Sequence, residues 1–234
     1  MYRLIILFVL VQLAILARYV VYEAFDPISY GATYIFLFAA FIIYFVSKSS
    51  TKKELQYEPR QISSWSFLNK QSVFTIEKPF YKGEVKRGTI QRRFLKKWHY
   101  FIADLLGSKF FLALTIKIDG VQFDIKPTKE KFFSKQDYWT IYKNGEMVGT
   151  AKTVVDIKNT VKLKEVIEFQ IGENSYYTAA ATVTSHISLI HKDEEIGEMK
   201  RNHIICNVYV IDVKDDSPEK IIALILHAFY YKNA

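Results

Sequence analysis

KIIALILHAFY, residues Lys220–Tyr230, is the stretch from which the architecture follows. Ile221, Ile222, Leu224, Ile225, Leu226 and Phe229 fall on every side of a helix, and His227 is the one polar residue between Lys220 and Tyr230. A helix that is apolar all round is buried all round. The residues just ahead open it. Ser217 can cap, Pro218 suits the first turn, and Glu219 meets the positive end of the helix dipole. From Lys220 to Lys232 there are 11 residues between charges, about 17 Å of helix and too short to span a bilayer. A C-terminal tail anchor is the alternative, and it lacks the length. A helix threaded through a closed sheet satisfies both facts.

The sequence upstream supplies that sheet. Phe110–Ile118 (FFLALTIKI) ends at Asp119-Gly120, and Val121–Ile125 alternates behind it. Tyr138–Tyr142 runs into Asn144-Gly145, followed by Met147–Ala151 and Thr153–Ile157. Asp-Gly and Asn-Gly are strong hairpin turns because both central residues take positive φ. Val161–Leu163, Val166–Ile171, Tyr176–Val183, Ile187–His191, Ile196–Met199 and Ile204–Val213 continue the pattern. At least nine short strands at this spacing predict an antiparallel sandwich or barrel. No βαβ alternation and no repeat of fixed period appears.

The other end of the chain belongs to a different regime. Mean hydropathy is near zero, yet residues 1–50 hold only Arg3, Arg18, Glu23, Asp26 and Lys48 as charged side chains. The rest carries 29 of 32 Lys and Arg and 22 of 24 Asp and Glu, a net of +7. Leu4–Tyr22 is 19 residues long, and 21 uncharged residues lie between Asp26 and Lys48; each is close to the ~20 needed to cross hydrocarbon. The expectation is a transmembrane hairpin over 1–47, with helices at about 4–22 and 29–47. A juxtamembrane linker follows over 48–61, then a β-barrel domain over 62–234. A cleaved signal peptide fits poorly, because Ala17 is followed by Arg18 and a second apolar segment. Two buried core helices would need a larger body to hide them. Lys48, Lys52 and Lys53 follow the second helix, while the link between the helices carries no Lys or Arg. The positive-inside rule therefore places both termini and the barrel domain in the cytoplasm of a two-span membrane protein.

A many-stranded barrel ending in a wholly apolar helix resembles the tubby C-terminal fold, shared with the LURP-one-related proteins and the phospholipid scramblases. The likeness rests on Glu195-Ile196-Gly197-Glu198, Ile204–Asp212 (IICNVYVID), Pro218–Tyr231 (PEKIIALILHAFYY) and Tyr138–Gly149 (YWTIYKNGEMVG). It covers about residues 62–234 and implies twelve strands around the last helix. Scramblases resemble a different layout, with a palmitoylated cysteine cluster and an acidic calcium-binding segment. Here Cys206 stands alone, so neither property is carried across. Tubby is similar to a phosphoinositide reader, but its lipid-binding residues cannot be matched one by one.

The densest basic cluster is Lys82, Lys86, Arg87, Arg92, Arg93, Lys96 and Lys97, with Glu84 the only acid and Phe94, Trp98 and Phe101 interleaved. Read as a helix, Phe94, Trp98, Phe101, Ile102 and Leu105 form one face beside the basic residues, an amphipathic membrane-surface element. Read as strands, the apolar residues enter the barrel and the basic ones face solvent. Lys82, Lys86, Arg87, Arg92, Arg93, Lys96, Lys97 and Trp98 are thus candidates for lipid or anion contact, and Lys48, Lys52 and Lys53 form a juxtamembrane basic group. Lys126, Lys129, Lys131 and Lys135 read as a solvated loop. Despite a pI near 9.3, no nucleic-acid-binding pattern occurs. The five histidines form no HExxH, and no GxSxG, P-loop or GxGxxG is present. No catalytic residue, cofactor or metal site is expected. His227 reads as a satisfied core histidine, Asp215-Asp216 as a turn and cap, and Cys206 as a small buried hydrophobe. The reading is a non-enzymatic, membrane-tethered barrel that contacts the lipid bilayer, through anionic headgroups or a membrane protein. A bacteriocin-immunity role and scramblase-like lipid handling are the alternatives.

Overall fold

The computed structural model describes residues 2–23, 25–70, 75–107, 109–128, 136–154, 164–181, 186–202 and 207–231. Two long helices come first. Helix α1 (Tyr2–Tyr22) and helix α3 (Tyr34–Leu55) are joined through a short α2 (Pro27–Ala32). Asp26 caps α2 by accepting from the Ile28 and Ser29 N–H groups at 3.1 Å each, with Pro27 in the first turn, where its missing N–H costs nothing. Gln12 of α1 donates to Thr33 Oγ1 at 2.5 Å, and Phe8 meets Tyr34 edge-on at 5.4 Å. Both long helices are apolar and long enough to cross a membrane. They lie outside the barrel, with Leu10, Val20, Ile35 and Phe38 each more than half exposed. The two-core-helix alternative is therefore excluded.

The barrel is made of β1 (Trp65–Leu68), β2 (Glu77–Lys82), β3 (Val85–Arg93), β4 (Ala113–Ile118), β5 (Val121–Pro127), β6 (Tyr138–Lys143), β7 (Glu146–Thr153), β8 (Lys164–Ile171), β9 (Asn174–Ala181), β10 (Ile187–His191), β11 (Glu194–Arg201) and β12 (Val208–Val213). Helix α4 (Lys97–Leu106) interrupts the connection between β3 and β4, and α5 (Pro218–Tyr231) follows β12. Each strand pairs antiparallel with its sequence neighbour, and β1 closes the ring on β12 with Trp65 opposite Ile211 and Leu68 opposite Val208. Asp119-Gly120 and Asn144-Gly145 make the expected turns, all four residues at positive φ.

About eight strands enclose a lumen that side chains alone can fill, and the diameter grows with strand number. Twelve strands leave room for a helix. Helix α5 occupies it, with Ile221 through Phe229 fully buried. Phe229 stacks on Phe67, and the Trp139 ring meets Tyr230 edge-on at 5.1 Å. His227 lies in the core, as its sequence context implied, with Nδ1 2.9 Å from Thr178 Oγ1.

The wall carries three matched irregularities. Register shifts fall between Phe80 and Tyr81, Ile141 and Tyr142, and Leu189 and Ile190. Opposite them lie Arg87-Gly88, Val148-Gly149 and Ile196-Gly197, so every fourth strand holds a bulge followed by glycine. At each glycine a Cβ would strike the next strand: 1.9 Å from the Lys117 carbonyl oxygen at Gly88, 2.3 Å from that of Gln170 at Gly149, and 2.7 Å from Val213 at Gly197. Bulges bend a sheet and raise its twist. The sequence spacing of the three is irregular, and no periodicity betrays them.

Several boundaries differ from the sequence reading. The strand placed at Phe110–Ile118 begins at Ala113, because Phe111 sits at φ 53° in a turn. The expectations at Val161–Leu163, Cys206, Lys129, Lys131 and Lys135, and parts of Thr153–Ile157, Tyr176–Val183 and Ile204–Val213, lie outside the described residues. The linker at 48–61 is no free tether. Helix α3 runs on to Leu55, and residues 56–64 then lie along the barrel wall. Tyr57 donates to Ser66 Oγ at 3.2 Å, and Ser64 Oγ donates to Asp212 Oδ1 at 2.6 Å.

Candidate functional site

The turns β2–β3, β4–β5, β6–β7, β8–β9 and β10–β11 share one end of the barrel with the start of α5. The opposite end receives α3 and carries α4, and this α4 end gathers the features that single it out.

Glu54, in the last turn of α3, is fully buried there. Its carboxylate lies 3.2 Å from Lys78 Nζ, with both side chains at 1% exposure or less. Glu54 also accepts from the Lys70 N–H, and Lys78 donates to Asn69 Oδ1. The Lys78 ammonium lies 5.4 Å from the Phe229 ring, which ties the group to the core helix. Burial pulls Lys78 down to about 8, against the opposing pull of Glu54. Strand alternation explains its position: Lys78 shares a face with Phe80, which points into the core.

The same alternation corrects one predicted contact. Arg92 shares a face with Ile90 and is fully buried rather than displayed. Its guanidinium donates to the Phe110 carbonyl at 3.0 Å and lies 4.7 Å from the Phe94 ring. Burial lowers it from its ordinary value, and an arginine so placed still carries its charge at neutral pH. Arg92 holds the turn into β4 and cannot meet a headgroup.

Strand β3 also divides the rest of the cluster. Lys82, Lys86 and Arg87 lie toward the α5-start end, where Lys82 pairs with Asp216 and Arg87 pairs with Asp119 at 3.0 Å. Arg93, Lys96, Lys97 and Trp98 lie at the α4 end, all exposed. Lys86 and Arg93 are seven positions apart, about 23 Å at about 3.3 Å per residue. One run in the sequence becomes two groups in space. Lys48, Lys52 and Lys53 are exposed along α3 on its way to the α4 end.

Residues 90–106 are therefore strand and helix in turn. In α4, His99 and Ala103, one turn apart, face inward, and His99 stacks on Phe111 at 4.0 Å. Leu95, Trp98, Phe101 and Leu106 are left at 48, 41, 38 and 53% exposure. Helix α4 also touches the first residues of α1. The Tyr2 N–H donates to Asp104 Oδ2 at 2.9 Å, Arg3 Nε donates to the Asp104 carbonyl at 3.1 Å, and the Tyr2 ring lies 5.5 Å from that of Phe101. Sequence reasoning found Trp98 and Phe101 but missed Glu54, Lys78 and the Asp104 contact. An alternation count from Phe80 would have found Lys78.

A closed antiparallel barrel threaded by an apolar helix, with the preceding helix locked into one mouth, defines a barrel domain whose lumen is filled rather than open. The chain belongs to the family of the Tubby C-terminal like domain, whose profile matches residues 70–233. That match begins after β1 and Glu54, both of which this barrel uses. No curated protein and no solved structure matches the chain.

Proposed function

We propose that the chain is a non-enzymatic, membrane-tethered protein whose barrel rests its α4 end on an anionic cytoplasmic leaflet. The observation that carries this reading is the contact of α4 with Tyr2 and Arg3. If α1 spans the bilayer, its first residues lie at the surface, and α4 lies there with them. The 21 residues of α1 extend about 31 Å at about 1.5 Å per residue, the thickness of a hydrocarbon core. Leu95, Trp98, Phe101 and Leu106 then face the headgroup boundary, where indole and phenyl rings are favoured. Arg93, Lys96, Lys97, Lys48, Lys52 and Lys53 supply charge, each worth about 1 kcal/mol near an anionic surface. Because Glu54 seats α3 in the barrel, the domain is held close to the bilayer.

The test uses the full chain in vesicles whose acyl chains carry bromine. Of the three tryptophans, Trp65 and Trp139 are buried in the barrel, so quenching that disappears with Trp98→Phe reports α4 alone. Trp98 is expected to be quenched, more strongly with anionic lipid, and a combined Arg93→Gln, Lys96→Gln, Lys97→Gln chain loses that preference. Equal quenching of the unaltered and Trp98→Phe chains would overturn the reading.

A further inference from the structure

The β10–β11 wall carries a group of side chains that membrane docking leaves unused. His186, just ahead of β10, and Glu195 and Glu198 of β11 each place one potential ligand atom so that all lie within 4.8 Å of one another. His186 Nε2 is 2.8 Å from Glu198 Oε2.

The bulge creates this convergence. Residues three apart on a regular strand point to opposite faces. Here Ile190 is opposite Glu195 and Leu189 opposite Gly197, so Ile196 is the extra residue. Ile196 and Gly197 both turn inward, which returns Glu195 and Glu198 to the same outer face.

The other two bulged hairpins serve as internal controls. The positions equivalent to His186, Glu195 and Glu198 are Glu77, Lys86 and Thr89 in the first hairpin, and Tyr138, Met147 and Thr150 in the second. The first repeats the contact geometry, since Thr89 donates to Glu77 at 2.7 Å where His186 meets Glu198. Its residues are an acid, a lysine and a hydroxyl, and Glu77 also ion-pairs with Lys117 at 3.6 Å. The scaffold brings three side chains together in each hairpin, but only the third fills the positions with an imidazole and two carboxylates.

The geometry points to a divalent-cation site of the zinc class formed by His186, Glu195 and Glu198. One nitrogen and two oxygens suit zinc or a similar transition ion, whereas calcium asks for six to eight oxygens and magnesium for near-ideal octahedral oxygen. Tetrahedral bonds of about 2.0–2.2 Å hold ligand atoms about 3.3–3.6 Å apart, which exposed Glu195 reaches by side-chain rotation. The competitor is internal: Lys200 ion-pairs with Glu198 and must yield when a metal binds. Asp212, directly opposite Glu198 on β12, adds negative charge nearby. Glu198, Lys200 and Asp212 also line a groove of about 280 Å³ beside residues 61–64. That groove gives the ion's remaining position room for water or an anionic group.

The proposal is independent of membrane docking and is tested on the full chain in detergent by titration with Co2+, read by its visible absorption, and by displacement with Zn2+. One saturable equivalent is expected. His186→Ala and Glu195→Gln each weaken it about tenfold or more, Lys200→Met tightens it several-fold, and His191→Ala leaves it unchanged. Thermal unfolding of each variant shows that the barrel persists, which exposed Glu195 guarantees for at least one. Absence of saturable binding, or binding that survives both His186→Ala and Glu195→Gln, would overturn the assignment and leave the cluster a solvated ion pair.

Discussion

Replacing Glu54 with glutamine keeps the side chain's shape and removes its charge, leaving Lys78 buried at the barrel mouth without its counter-ion. Breaking a buried pair from one side costs about 3–5 kcal/mol, because the surviving charge is uncompensated. The structure also sets a ceiling. Lys78 can escape by losing its proton, and from its folded value of about 8 that costs about 1.4 kcal/mol at pH 7, at about 1.36 kcal/mol per unit. A loss of about 1–1.5 kcal/mol is therefore expected, below the general range, which lowers the melting temperature by about 2–6 °C for a domain of this size. Thermal unfolding of the full chain in detergent, followed through buried Trp65 and Trp139, measures it. Two signatures separate this cause from general damage. The deficit shrinks as pH rises toward 10, where a neutral Lys78 asks for no partner. A Glu54→Leu, Lys78→Met chain recovers most of the loss, because an apolar pair of similar volume replaces the ionic one. A Glu54→Gln chain melting within a degree of the unaltered one would refute the reasoning, as would a double variant worse than either single change.

Two further outcomes follow from the wall and the far mouth. Gly88→Ala places a methyl group 1.9 Å from the Lys117 carbonyl oxygen, so the backbone must shift; a loss of about 1–3 kcal/mol is expected in denaturant unfolding, whereas Gly120→Ala, with open space at Cβ, acts only through its turn dihedral. Asp216 accepts from Lys82 and, at 2.7 Å, from Trp65 Nε1, and the Lys82 hydrogen bond holds its carboxyl below the ordinary 3.8. The folded value is depressed, so this stabilisation is full above the unfolded value and is lost as pH falls through the folded one. Melting temperature should decline less steeply below pH 4 in Asp216→Asn than in the unaltered chain.

The core helix, the two long apolar helices and the Asp-Gly and Asn-Gly hairpins were legible because each depends on local pattern: periodicity, length or turn chemistry. The basic cluster was misread because composition has no direction. Arg92 and Lys86 look alike in a list of charges, but alternation from Ile90 sends Arg92 inward and the length of β3 carries Lys86 to the other end. The partnership of Glu54 with Lys78 was hidden for a different reason. It joins a helix that reads as anchor to a strand that reads as barrel, and no local pattern spans that gap. The bulges were invisible as well, since one extra residue in a strand changes facing without changing composition.

The element that completes the core is α5, and it follows every strand in the chain. As the polypeptide leaves the ribosome, the hairpins can pair one by one, but the ring has nothing to close around until α5 emerges, and β1 must wait for β12. Closure is therefore late and long-range, the kind of step that folds slowly and exposes sheet edges meanwhile. If α1 and α3 have already entered the bilayer, the waiting strands are held singly at a surface, away from the edges of other copies. The anchor would then act first as a chaperone for its own cargo, before it serves as an address.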